Sequence, residues 1–177
     1  MAINNKTELV VERRYDPRLG RHTINGTVHV LHCHHYLTLY TQLAEDVGML
    51  DGRKLLVEVS EDAFRPALAA FWNGQGSGLA DRIALAEQYY ALAGLGKMRV
   101  VAAGEDLGRV ELEHSHLDAG WLKKWGGRDK PVNHVTCGYL AALFAGLFGT
   151  PPRSWKVNEA RSIVAGAERS VFVAVRA

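Results

Sequence analysis

Cysteine is scarce in this 177-residue chain: there are two, Cys33 and Cys137, far apart in sequence. They make no disulfide framework, so an apolar core has to hold the fold and a reducing cytoplasm is the expected location. Charge of one sign is also missing. A net charge of +2 and a pI near 8.6 give no ground for nucleic-acid binding. The basic clusters Arg13, Arg14, Arg18, Arg21 and Lys123, Lys124, Arg128, Lys130 sit beside acids or turn residues and read as solvated faces. Long apolar runs are absent: the best candidate helix has about 17 residues and a polar start, short for a membrane span. The opening Met1 to Lys6 lacks the apolar stretch of a signal peptide, so a soluble protein with no membrane partner is expected. Neither His-Glu-x-x-His nor Cys-x-x-Cys occurs. The glycine-rich run from Asn73 to Gly78 has no P-loop lysine after it and reads as a loop, not a phosphate cradle.

What is present suffices for one domain over residues 1–177, because 47% of the side chains are hydrophobic and no linker or repeat divides the chain. A strand at Glu8–Glu12 and a turn at Asp16 to Gly20 precede a hairpin around Asn25-Gly26. Four-residue apolar spacing predicts a helix over Tyr36–Val47, closed by Gly48. A short strand over Lys54–Val59 and a helix over Ala63–Trp72, with Pro66 near its start, follow. The most regular helix of the first half spans Leu79–Leu95. Strands at Met98–Ala103 and Gly108–His116 come next, the second placing Val110, Leu112 and His114 on one side. After a short Lys-rich helix ending in Gly-Gly, Pro131 opens an apolar helix to Phe148 that Gly149, Pro151 and Pro152 close. Two strands around Gly166 end the chain. The class is α+β, antiparallel strands packed against a helical layer.

Residues 109–177 carry a recognisable order: Gly120-Trp121, the Lys-rich helix, Pro131-Val132, Gly138-Tyr139, an Ala/Phe/Leu helix, a strand with Glu159, then Gly166 and a final strand. This order resembles the 4-vinyl reductase domain, a family of hydrocarbon-binding proteins and effector-sensing domains of aromatic-responsive regulators. That family shares its fold with vesicle-tethering subunits and is related to haem-based nitric-oxide sensors. Residues 1–108 would supply an N-terminal hairpin and helices, and 109–177 the core. The resemblance implies a homodimer and, in zinc-binding members, cysteines at the places of Asn133, Ser162 and Ser170 beside Glu159. One carboxylate with an amide and two hydroxyls is not a zinc ligand set. The Tyr-x-Ser-x-Arg haem clasp of the nitric-oxide sensors is absent as well.

Histidine is the unusual component. Four fall within His29–His35, and His114, His116 and His134 follow later. An extended 29–35 segment points His29, Cys33 and His35 one way and His32 and His34 the other; an early helix start would instead group His32, His35 and Tyr36. Imidazoles suit zinc, iron or copper, so His29, His32, His34, His35, His114 and His116 are candidate ligands for a transition metal or haem. The competing reading makes them hydrogen-bonded or interface residues. Cys33 among histidines is a candidate nucleophile, whereas Cys137 in an apolar helix reads as core. Glu159 accepts a ligand hydrogen bond, acts as a base, or pairs with Arg161 or Arg169, the last being preferred.

Two functions follow. In the first, Trp121, Tyr139, Phe144, Trp155 and Phe172 line an apolar pocket beside the Gly138-Tyr139 helix, with Glu159 fixing the polar end of an aromatic or tetrapyrrole-like ligand. Burying about 300 Å² of apolar ligand yields roughly 7 kcal/mol gross. Association costs at least about 4 kcal/mol, so the ligand has to be large or functionalised. In the second, the His29–His35 cluster holds a metal beside the same pocket and the protein is a metalloenzyme. The first is the preferred reading.

Overall fold

The computed structural model describes residues 7–75 and 78–177. The element order is β1 (Arg13–Asp16), β2 (Arg21–Ile24), β3 (Thr27–His29), α1 (His34–Asp46), α2 (Gly52–Gln75), α3 (Leu79–Leu92), β4 (Gly96–Ala103) and β5 (Leu107–Ser115). It continues with α4 (His116–Trp125), α5 (His134–Leu147), β6 (Trp155–Arg161), a 3-10 turn (Ile163–Ala165) and β7 (Ser170–Arg176). Two antiparallel sheets result, one in the order β1-β2-β3 and one in the order β4-β5-β7-β6. The expected α+β architecture is the one observed.

Helix α5 forms because a 14-residue apolar run with Pro131 before it and Gly149 after it has no competing local structure. Twelve of its residues are buried, so it is covered on both sides: by β6 and β7 on one, by α2 and α3 on the other. Gly138 decides how close α2 comes. A Cβ there would overlap the Val57 carbonyl oxygen and lie 2.9 Å from the Glu61 backbone nitrogen. Tyr139, the next residue, donates its hydroxyl to the Ala86 carbonyl at 2.6 Å and packs against Phe64, Tyr89 and Tyr90.

Several expectations are corrected. Residues 8–12 form no strand; there Asn25 holds the chain instead, accepting from Glu12 N at 2.7 Å and donating to Val10 O at 2.9 Å. Lys54–Val59 is helical, and α2 runs unbroken across it. The buried or half-buried positions Val57, Glu61, Phe64, Leu68, Phe71 and Trp72 repeat at three- and four-residue intervals, a helical face facing α5, and that packing overrides the β-branched local preference. Pro66 therefore sits inside the helix on its exposed side. Of the expected 73–78 loop, residues 73–75 finish α2 and residues 76–77 lie outside the described residues. In β5, Val110 and Leu112 face the core but His114 does not. A register shift between Lys97 and Met98 turns it outward opposite Lys97.

Candidate ligand-binding site

A cavity of about 530 Å³ opens where the end of α1, the turn into α2, the first turn of α5 and β6 meet. Val47, Leu50, Val57, Cys137 and Val157 supply its apolar wall; Glu45, Arg53, Lys54, His134 and Glu159 supply its polar one. Each is there for a topological reason. Gly52 lets α2 start tight against Ala44 of α1, which brings Arg53 and Val57 to the rim. The close α2–α5 approach at Gly138 then sets the width.

The polar wall has two parts. Glu45 takes a two-pronged bond from Arg128 (2.9 and 3.1 Å) and a bond from His134 Nε2 at 3.3 Å. Burial alone would raise the Glu45 pKa, but the hydrogen bonds and charges of Arg128 and His134 outweigh it and the net shift is downward. Burial lowers the His134 pKa. Arg128 also lies over Trp121 at 4.5 Å, a cation–π contact, so it is not the solvated residue expected from its neighbours.

The second part is a buried network around Glu159. Asn133 donates its backbone N–H to Glu159 Oε2 (3.2 Å) and its side-chain amide both to Glu159 Oε1 (2.8 Å) and to Asp118 Oδ2 (2.9 Å). Ser170 Oγ lies 2.8 Å from Glu159 Oε1 and 3.2 Å from Asp118 Oδ2. Ser115 caps α4 by accepting from Asp118 N and turns its own hydroxyl to Asn133 Oδ1, which fixes the amide with its NH₂ toward the carboxylates. Asp118 is 1% exposed. Burial raises the pKa of both acids, and the charge of Asp118 raises that of Glu159 further. The expected pairing of Glu159 with Arg161 or Arg169 is not made: Arg169 bonds Glu111 instead, at 2.9 Å.

The same geometry tests the zinc site of the resembled family. Asn133, Glu159, Ser162 and Ser170 do converge, joined by Asp118. The Asn133 NH₂ points between the two carboxylates, however, where a cation would have to sit, and the neighbouring Cys137 thiol is held protonated by burial, its pKa pushed up. These residues do not fit zinc.

The histidines are partly brought together. His34 lies 4.3 Å from His35 and 5.4 Å from His116, ring centre to ring centre, where the starts of α1 and α4 meet. His32 stacks on Tyr36, His29 bonds the Thr27 carbonyl, and His114 is exposed on β5. Among the described residues no group of three or more His, Cys, Asp or Glu side chains could hold a metal ion, so the expected metal cluster is not assembled. The helix begins at His34, splitting the 29–35 run between an extended segment and a helical turn. Cys33 is exposed. Cys137 is buried with a pKa pushed up by desolvation, an inert thiol that nevertheless lines the cavity.

Of the residues expected to line a pocket, Glu159 does so. Trp121, Tyr139, Phe144, Trp155 and Phe172 do not line this cavity; all are 5% exposed or less. Phe144 and Trp155 stack on each other at 5.1 Å, Tyr139 is held among the α2 and α3 aromatics, and Trp121 packs under Arg128. The residues missed were Arg53, Val57 and Val157 of the wall, the Glu45–Arg128 pair, and Asp118. Asp118 had a signal: Ser115-His116-Leu117-Asp118 is the Ser-x-x-acid pattern of a helix start.

No family model matches this chain and no curated protein matches its sequence. Solved structures match its fold. The phenol-responsive sensory domain of the transcription activator PoxR, determined with phenol, superposes with a TM-score of 0.75 over 93% of this chain and 84% of that one, at 14% identity. A vinyl-4-reductase family protein from Methanocaldococcus jannaschii gives 0.50 over 81% and 92%, at 13% identity. A trafficking protein particle complex subunit 3 from Naegleria fowleri, covalently bound to palmitic acid, gives 0.54 over 81% and 95%, at 11% identity. The chain therefore has the fold shared by the PoxR sensory domain, the vinyl-4-reductase family protein and the trafficking protein particle complex subunit, as its last 69 residues suggested. Among the described residues no helix is long and apolar enough to cross a membrane.

Proposed function

We propose that this protein is a small-molecule binding protein that takes an apolar or aromatic ligand with one polar group into the cavity between α1, α2, α5 and β6. The observation that carries this is the cavity itself: about 530 Å³ with a valine-rich wall and the half-buried Glu159 carboxyl in its lining. Burial favours the protonated form of that carboxyl, which can donate to or accept from a hydroxyl. That a protein of the same fold was solved with phenol supports the reading. The volume exceeds one aromatic ring, which agrees with a larger or substituted ligand. We also read the protein as a homodimer, as the resemblance of residues 109–177 implies.

Thermal unfolding with phenol and alkyl-substituted phenols, followed by native mass spectrometry, tests the reading. A ligand at about 100 times its Kd adds about 2.7 kcal/mol, which for a domain of this size raises Tm by roughly 5–10 °C. Val157→Trp fills the cavity and removes that shift. A shift that survives in Val157→Trp would place binding elsewhere. No shift with any aromatic or alkyl probe would refute the proposal.

A further inference from the structure

The acids and bases around the cavity are unequally matched. Its lining holds the acids Glu45, Asp51 and Glu159 and the bases Arg53, Lys54 and His134. All three acids are already committed. Glu45 is held by Arg128 and His134, in a pair whose side chains are only 14% and 16% exposed. Asp51 turns Oδ1 to the Lys54 backbone N–H at 3.1 Å and caps the start of α2. Glu159 is bonded to Asn133 and Ser170, and burial favours its neutral form. Among the bases, Lys54 Nζ reaches Glu58 only at 3.9 Å. Arg53 has no ion pair and no side-chain hydrogen bond among the described residues. Its charge is nonetheless felt inside: burial is the main cause that lowers the His134 pKa, and Arg53 adds to it.

Arg53 stands beside an apolar lip. Val47 and Leu50 at the mouth are 43% and 65% exposed, whereas Val57, Cys137 and Val157 further in are half-buried or buried. Resting on the reading of this cavity as a small-molecule site, we propose that its ligand is a carboxylic acid, bound as the anion. The carboxylate pairs with Arg53 at the mouth, and the apolar body lies against Val47, Val57 and Val157. This group is additional to the hydroxyl-type group that Glu159 can meet. The guanidinium offers two parallel N–H donors, the geometry a carboxylate accepts. A phosphate monoester fits less well: it brings a charge of about −1.5 to −2 to one unpaired guanidinium with Asp51 and Glu58 close by in the chain. The preference for an acid over a neutral ligand has a definite sign. Without a cation at its carboxylate, an ionised acid loses hydration on entering an apolar cavity and binds worse than its neutral isostere. With Arg53 in place the order reverses.

Calorimetric titration of the full chain near neutral pH with matched probes tests this: para-butylbenzoate, para-butylbenzamide and para-butylphenol. The benzoate should bind about three- to tenfold more tightly than the benzamide, between the worth of a surface ion pair and that of a charge-assisted hydrogen bond. Raising the salt from about 0.05 M to about 0.5 M should remove most of that preference. Arg53→Gln should bring the benzoate-to-benzamide affinity ratio to about one or below, and Arg53→Lys should restore part of it. A benzoate that binds no better than the benzamide overturns the proposal, and so does a preference that survives Arg53→Gln. Should Arg53→Gln fail to fold, the wild-type salt series decides, and a ratio that salt does not move overturns the proposal. If the phenol and the benzamide bind and the benzoate does not, this proposal falls and the small-molecule reading stands. If none of the probes binds, both fall.

Discussion

Replacing Gly138 by alanine isolates the contact on which the cavity and the core both depend. In an isolated helix the change is favourable, by up to about 1 kcal/mol. Here the added Cβ overlaps the Val57 carbonyl oxygen, touches Ser60 and comes within 2.9 Å of the Glu61 nitrogen. Two of those three are backbone atoms of α2, which have no rotamer to move to. Restoring ordinary contact of about 3.5 Å requires the helices to separate by roughly 1 Å. That loosens the packing of the α2 face (Phe64, Leu68, Phe71) against the second half of α5, and small-to-large changes in tight cores cost about 1–3 kcal/mol. After the propensity gain, the net expectation is a loss of about 1–2 kcal/mol, or roughly 2–8 °C in Tm for a domain of this size. Urea unfolding followed by circular dichroism measures it. Gly48→Ala is the control, since nothing lies within 4 Å of a Cβ at that position, and it should be neutral or stabilising. If Gly138→Ala proved as stable as wild type while Gly48→Ala behaved as expected, the close α2–α5 approach would be refuted.

Two further outcomes follow. The buried Asp118 and the half-buried Glu159 hold their protons more tightly folded than unfolded. Their contribution is therefore complete below the ordinary carboxylate range near pH 4 and declines as pH rises through their raised folded values. Asp118→Asn should accordingly gain stability relative to wild type as pH rises above about 4. Glu45 is the reverse, its pKa lowered, so Glu45→Gln should lose its disadvantage as pH falls below that range. Stability measured from acid to neutral pH separates the two, and parallel curves would refute both assignments. Thiol titration gives the second outcome: one equivalent from exposed Cys33 in the native protein and a second, from Cys137, only after unfolding. Rapid reaction of both would show that the α5 side of the cavity is open to solvent.

What the sequence determined by itself was whatever a local signal encodes. The Asn25-Gly26 hairpin, α5 between Pro131 and Gly149, and the final strands on either side of Gly166 were legible because turn chemistry and helix punctuation act within a few residues. Glu159 was legible as a carboxylate out of place on a strand. Other features waited on which elements meet. Residues 54–59 carry a strand-like composition and became helix because α2 gains more by packing against Gly138. The aromatic residues expected around a ligand satisfied one another in the core. Asp118, Asn133 and Glu159 lie 15 and 26 residues apart along the chain, and no periodicity links them. Their convergence arises only when separate segments compete for the same interior, a competition settled by packing distance and buried charge and not by sequence spacing.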